Sequence, residues 1–293
     1  MSVLRIGWIG CGTHANEMLL PQVMRHQVRL QALCDVSDER LQETARRYGV
    51  AEADLMKDWR ALLARDDLDA IGMAVGPHLH HEIGLAAIAR GLPIFIEKPP
   101  AATAKAAREL ADASAARGVP VVLGFMKRYS TANRIAANLV HDDKFGIAAS
   151  FLGQYMTAPT YFEKDVDYTG FFLHHCVHYF DLVPHLMGEV AQVSSRRFQL
   201  EPGKLLLHVD FAFTSGGIGT LVMGTQATLR DHEDTLVWEP NFTVAANEDH
   251  KGYHTLLGDF VAVARGEKRQ VPDAVAGARA MALLEQALAS SHT

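Results

Sequence analysis

The chain has 293 residues, 48% of them hydrophobic and 21% charged, with 28 basic against 34 acidic side chains for a formal net charge of −6. That is enough for about two domains, and it lies outside the disordered, collagen-like and disulfide-scaffold compositions. No cationic run offers a footprint for a phosphate backbone or an anionic membrane surface, and no apolar stretch approaches the ~18 residues of a spanning helix, so neither nucleic acid nor membrane is an expected partner.

In chain order, Leu4 to Ile9 reads as a strand, Gly10-Cys11-Gly12-Thr13-His14-Ala15 as a glycine turn, and Asn16 to Arg25 as a helix. Val28 to Cys34 is a second strand ending at Asp35, after which Ser37 caps a helix through Tyr48 that Gly49 stops. Trp59 to Leu63 is expected as helix and Ala70 to Val75 as a buried strand, broken by Gly76-Pro77 before a helix over His80 to Arg90. Ile94 to Ile96 makes a fourth strand, Thr103 caps a helix to about Arg117, and Val121 to Leu123 makes a fifth. Strands alternating with helices specify a parallel α/β Rossmann sheet whose ligands lie beyond the strands' carboxyl ends. Residues 1–123 are therefore expected to form a dinucleotide-binding domain.

Residues 124–293 have a different texture, expected to be an α+β domain with an open, mainly antiparallel sheet. Leu205 to Phe213 alternates strictly, Ser215-Gly216-Gly217 turns it into Ile218 to Gly224, and Ala148 to Tyr155, Val193 to Leu200 and Leu236 to Val244 offer further strands. Helices at Phe172 to Met187 and from about Leu256 to the C-terminus would cover one face. The other face is expected to be buried in a homo-oligomer. Cys11, Cys34 and Cys176 are odd in number and scattered, as reduced cytoplasmic thiols are. The strand-like run beginning at Val3 shows no signal-peptide pattern, in keeping with that location.

Three constellations carry chemistry. In Gly10-x-Gly12-x-x-Ala15, Gly10 permits the tight turn, Gly12 lets the backbone approach a pyrophosphate, and Ala15 allows close helix-to-strand packing. Asp35 lies 25 residues beyond Gly10, where a carboxylate accepts from ribose hydroxyls and repels a 2′-phosphate, favouring NAD over NADP. The competing reading of Asp35 as a helix cap is weakened by Ser37. Glu97-Lys98-Pro99 stands at the carboxyl end of a strand, where the binding crevice belongs. Finally, His174, His178, Asp181 and His185 fall at i, i+4, i+7 and i+11 of one helix, on a face too polar to bury dry. A metal on His174 and His178 would need a third ligand that this spacing does not supply, so none is expected.

Together these residues resemble the Gfo/Idh/MocA oxidoreductases, a family that includes inositol and other sugar dehydrogenases. The glycine loop, His80 lying 17 residues before Glu97, the Glu97-Lys98-Pro99 tripeptide, Gly124 through Arg128-Tyr129, and His178-x-x-Asp181 before Gly188 all fall in the family's order. The resemblance implies a Rossmann domain followed by an open-sheet domain, and NAD or NADP as cofactor. The implied partner is a small molecule, a secondary alcohol on a sugar or cyclitol. Lys98 would hold the reacting oxygen and His178 would be the base, with His174 beside them in the catalytic group; Thr13, His14, His80 and Glu97 would belong to the cofactor side, with His80 otherwise capping its helix, and Arg128, Tyr129, His174 and Asp181 to the substrate side, with Arg128 otherwise a structural ion-pair former and Asp181 otherwise orienting His178. Two alternatives to this scheme are a lyase or hydrolase that oxidises its substrate transiently on tightly bound NAD, as some relatives do, and a cofactor-binding regulator without turnover, suggested by His174.

The chain departs from the family pattern in having Val75-Gly76-Pro77 after the fourth-strand position, Thr131 where a proline is usual, and His174 where sugar dehydrogenases commonly carry aspartate four residues before the catalytic histidine. A carboxylate there would raise the base's pKa by about 1–3 units, and an imidazole does not. Oxidation is therefore expected to need a higher pH than in aspartate-bearing relatives, unless the imidazoles and Lys98 serve an anionic substrate group.

Overall fold

Short apolar runs, buried on both faces, build the first sheet of the computed structural model, which describes residues 3–141, 149–156, 169–201, 204–225 and 251–290. Its strands are β1 (Leu4–Ile9), β2 (Val28–Cys34), β3 (Leu55–Met56), β4 (Ala70–Met73), β5 (Ile94–Ile96) and β6 (Val121–Leu123), in the order β3-β2-β1-β4-β5-β6. Every neighbouring pair is parallel. The order reverses between β1 and β4, and a doubly wound sheet binds ligands in the crevice at that switch point.

The helices follow their sequence signals closely. In α2 (Asp38–Tyr48), Ser37 Oγ accepts from the Arg40 N–H and Gly49 closes the end at φ +70°. In α5 (Ala104–Arg117), Thr103 caps the first turn. Helix α3 spans Trp59–Leu63 as expected. Three expectations are corrected. Helix α4 runs Pro77–Ala89 and begins three residues earlier than His80, because proline at the first helical position loses no hydrogen bond there. The first helix opens with a π-wound turn at Ala15–Leu19 before α1 (Leu20–Val23). The sixth strand, β3, is too short to show a periodicity.

The second sheet has order β7-β10-β9-β8, from β7 (Ser150–Met156), β8 (Val190–Glu201), β9 (Lys204–Phe213) and β10 (Ile218–Gly224). It is antiparallel except that β7 runs parallel to β10. Strand β9 turns Leu205, Leu207, Val209, Phe211 and Phe213 inward, as its alternation requires. That face packs beneath a helical segment made of α7 (Thr169–Phe171), a π-wound turn at Phe172–Cys176, and α8 (Val177–Met187); Phe180 meets Phe211 with ring centroids 5.9 Å apart. The chain reaches the second sheet through α6 (Thr131–Val140).

The expected single helix after Leu256 is two. Helix α9 (Tyr253–Ala264) returns to the first sheet, where Phe260 packs on Phe95 and Phe95 stacks on the fully buried Trp8. Helix α10 (Ala274–Ala289) instead packs against α5, α8 and β8. Gly266, at φ +84°, lies in the connection, and Leu123 N–H donates to the Pro272 carbonyl at 2.7 Å, so this connection lies along β6. The expected strand Leu236 to Val244 lies outside the described residues.

Candidate active site

The glycine turn leaves β1 at Gly10, whose φ of +94° only glycine adopts comfortably, and whose missing Cβ would stand 2.2 Å from the Ala74 carbonyl oxygen. Gly12 faces open space, with nothing within 4 Å of where a Cβ would be. Asn16 Nδ2 pins the turn by donating to Cys11 O at 2.9 Å and Thr44 Oγ1 at 2.8 Å. Ala15 is buried against the sheet and Thr13 is exposed. The Asp35 carboxylate accepts from the Cys11 N–H at 2.7 Å and the Ser37 N–H at 2.8 Å, which fixes it beside the turn. Gly10, Gly12, Asp35, Val36, Val75 and Gly76 border one cleft of about 280 Å³ at the switch point. An open backbone approach, an anchored carboxylate and an 85% exposed Val36 on the rim suit the pyrophosphate, ribose and base of a dinucleotide.

At the end of β5, Glu97 is buried, with Oε2 accepting from the Lys98 N–H at 2.9 Å and Oε1 lying 3.5 Å from His14 Nε2. Burial works to raise the Glu97 pKa, but His14 and Lys98 together hold it below its ordinary value. His14, given to the cofactor side by the resemblance, thus reaches across to the tripeptide. His80 stands between two loops. It is 1% exposed, its Nε2 accepts from the Val75 N–H at 3.2 Å, and its Nδ1 lies 2.7 Å from the Pro99 carbonyl oxygen. It joins the loop after β4 to the turn after Lys98 instead of facing the cleft.

Lys98 crosses towards the second sheet's helices, where its Nζ donates to the His174 carbonyl at 3.2 Å. Lys98, His14, His174 and His178 line one cavity of about 580 Å³, together with Met126, Lys127, Tyr155, His175 and Tyr253. The sequence therefore supplied four of its charged or titratable members. Lys127, His175 and Tyr155 carry no spacing signal: Lys127 follows a strand in a short 3₁₀ turn (Met126–Tyr129), and Tyr155 arrives on β7 from a residue alternation that marks only a strand. Tyr155 Oη lies 2.5 Å from His175 Nδ1, and the Lys127 ammonium sits 4.8 Å from the Tyr179 ring centroid.

His178 is deeply buried, and its Nδ1 has no hydrogen-bond partner among the described residues. Burial, followed by the charges of Lys98 and Lys127, pushes its pKa well below the usual histidine value. Burial, followed by Lys98, His174 and Lys127, brings His175 down to about 4. Both imidazoles are neutral at neutral pH and can accept a proton. The cysteines are free and buried, and burial raises the thiol of Cys11 to about 12, which makes it inert.

Arg128, Tyr129 and Asp181 do not line this cavity. Arg128 forms a bidentate ion pair with Asp181, Nε to Oδ2 at 2.7 Å, and Asp181 is 1% exposed, so each satisfies the other inside the protein. Arg128 and Tyr129 border a separate cavity of about 620 Å³ with His185 and Asp259. The polar stripe of α8 explains the division: at 1.5 Å per residue, Asp181 and His185 stand about 4.5 and 10 Å farther along the axis than His178, and neither lines the cavity that His178 borders.

A parallel sheet with a glycine turn at its switch point, joined to an open sheet across a lysine- and histidine-lined cavity, defines a two-sheet Rossmann fold. Residues 4–125 match the model of the GFO_IDH_MocA oxidoreductase family, NAD-binding Rossmann fold. Over this region the chain is similar to the Gfo/Idh/MocA family. It is 39% identical over 129 residues to inositol 2-dehydrogenase of Paracoccus denitrificans, covering 43% of this chain and 38% of that protein. It is 26% identical over 174 residues to levoglucosan dehydrogenase of Pseudarthrobacter phenanthrenivorans, covering 56% of this chain and 44% of that one. The chain thus spans less than half the length of these curated relatives. A dehydrogenase from Chromobacterium violaceum has the same fold, with a TM-score of 0.85 and 25% identity over 99% of this chain and 96% of that one. Levoglucosan dehydrogenase in complex with NADH superposes with a TM-score of 0.78 at 18% identity, over 98% of this chain and 96% of that one.

Proposed function

We propose that the chain is an NAD-dependent dehydrogenase that oxidises a secondary alcohol of a sugar, cyclitol or sugar derivative. The observation that carries this reading is the meeting of Lys98, from the end of β5, with His178, from α8, in one cavity that also includes His14 of the glycine turn. NAD, when bound, supplies the acceptor for the hydride leaving the alcohol carbon. Gly10, Gly12 and the N-terminal turn of the first helix would hold its pyrophosphate, and Asp35 its adenosine ribose. Arg40 and Lys57 border the same cleft, but Lys57 is paired with Asp38 at 2.6 Å, and the fixed Asp35 carboxylate disfavours a 2′-phosphate. Lys98 holds the reacting oxygen and stabilises its developing negative charge. Neutral His178 takes the hydroxyl proton, and Glu97 anchors the Lys98 backbone.

The same reading divides the chain into a cofactor part, residues 1–123, and a substrate part, residues 124–293, with α9 reaching back to the first. It places the enzyme in the cytoplasm as a homo-oligomer; no helix among the described residues is long and apolar enough to cross a membrane. Leu152, Phe198 and Ile218, which are 82%, 56% and 65% exposed on the second sheet, support a subunit contact there. No feature among the described residues favours the transient-oxidation lyase or the regulator. Fluorescence titration with NADH and NADPH, followed by a polyol and sugar-acid screen at 340 nm, tests the proposal. Absence of dinucleotide binding would end it.

A further inference from the structure

The described lining of the catalytic cavity is cationic in a chain whose net charge is −6. Its described lining holds two lysines and four histidines and no carboxylate. Glu97, the nearest buried acid, is committed to the Lys98 N–H and to His14, and neither Lys98 nor Lys127 has a carboxylate within ion-pair distance among the described residues. A neutral alcohol passing to a ketone needs one cation, to meet the charge that develops on its oxygen, and Lys98 fills that part. Lys127 is surplus to that task. It is held against the rings of Tyr155 and Tyr179, at 5.6 and 4.8 Å from their centroids, with its ammonium on the lining of the same cavity.

Taking the Lys127 ammonium partly out of water opposes folding, and an arriving anion offsets that cost. A carboxylate also suits the donors present, since ammonium groups bind it as charge-assisted hydrogen-bond donors and the field of the cavity draws anions in. We propose that the substrate is a sugar acid, with its carboxylate bound by Lys127 beside His174 and His175 while its secondary hydroxyl lies between Lys98 and His178. This inference rests on the dehydrogenase reading and narrows its substrate class. His174, at the position where sugar dehydrogenases commonly carry aspartate, fits the same chemistry: a carboxylate there would repel the substrate, and an imidazole does not.

The test compares acids with their neutral counterparts on one carbon skeleton: D-gluconate with D-glucitol, D-galactonate with galactitol, and D-xylonate with xylitol. Binding to the enzyme–NADH complex is read by fluorescence and turnover by NADH formation. At least one acid is expected to bind 10-fold or more tightly than its polyol, with an affinity that falls as salt rises while the polyol's does not. Lys127→Met is expected to remove that preference and Lys127→Arg to keep it, with NADH binding and unfolding midpoint serving as controls. Polyols that bind as well as every acid, or an acid preference indifferent to both salt and Lys127→Met, would overturn the inference and leave the dehydrogenase reading standing. Failure of NADH to bind at all would overturn both.

Discussion

His80 bridges two loops that flank the candidate site, accepting from the Val75 N–H through Nε2 and donating through Nδ1 to the Pro99 carbonyl. The first contact fixes the tautomer, because an Nε2 that accepts leaves the proton on Nδ1. One buried neutral ring thereby ties the loop after β4, on the cofactor cleft, to the turn that carries Lys98.

Burial, the leading cause, lowers the His80 pKa to about 4 from an ordinary 6.5. Because the folded-state value is depressed, the stabilisation is complete above about pH 6.5 and is lost as pH falls towards 4, amounting to about 3 kcal/mol. His80→Gln should unfold at a lower temperature than the parent at pH 7.5 and lose less stability between pH 6.5 and 4.5. Calorimetry across that range checks it; parallel losses in both proteins would refute it.

His178→Asn should lower kcat by about 10²–10⁴-fold through loss of the proton acceptor, with NADH affinity changed little. Lys98→Met should lower kcat by about 10²–10³-fold through loss of the cation at the reacting oxygen. Steady-state kinetics alongside NADH titration separates these effects from misfolding.

The depressed His178 pKa predicts a pH dependence opposite to the one expected from His174. A depressed His178 pKa keeps the ring neutral, and so competent as a base, at every pH above that lowered value. The acid limb of kcat/KM should therefore lie below pH 6.5, and oxidation should not require alkaline conditions on account of this residue. An acid limb centred above pH 7 that disappears in His178→Asn would contradict the electrostatic argument.

Gly10→Ala should abolish dinucleotide binding and destabilise the fold, since the new methyl group would meet the Ala74 carbonyl oxygen at 2.2 Å on a backbone at φ +94°. Gly12→Ala faces open space and should fold normally while weakening NADH binding. A Gly12→Ala protein that bound NADH as well as the parent would place the pyrophosphate elsewhere.

Arg128→Met should cost about 3–5 kcal/mol of stability by leaving Asp181 buried without its partner, and Arg128→Met/Asp181→Leu should recover part of it. Chemical denaturation measures both. A large rise in substrate KM with unchanged stability would instead return Arg128 to the substrate site.

The sequence by itself determined the local elements and the cofactor turn. Ser37 and Gly49 bracket α2, Thr103 starts α5, and Gly10-x-Gly12 between a strand and a helix marks the cleft, because caps, turns and strand runs are set by residues within a few positions of one another. It also supplied Lys98, His174 and His178. Only the tertiary structure decided that Lys127, Tyr155 and His175 join them, that Arg128 is consumed by Asp181, and that α9 leaves the second sheet to pack on Phe95. Those outcomes depend on which segments distant along the chain become neighbours, and on which charges burial then forces together; residue spacing within one helix or strand records neither.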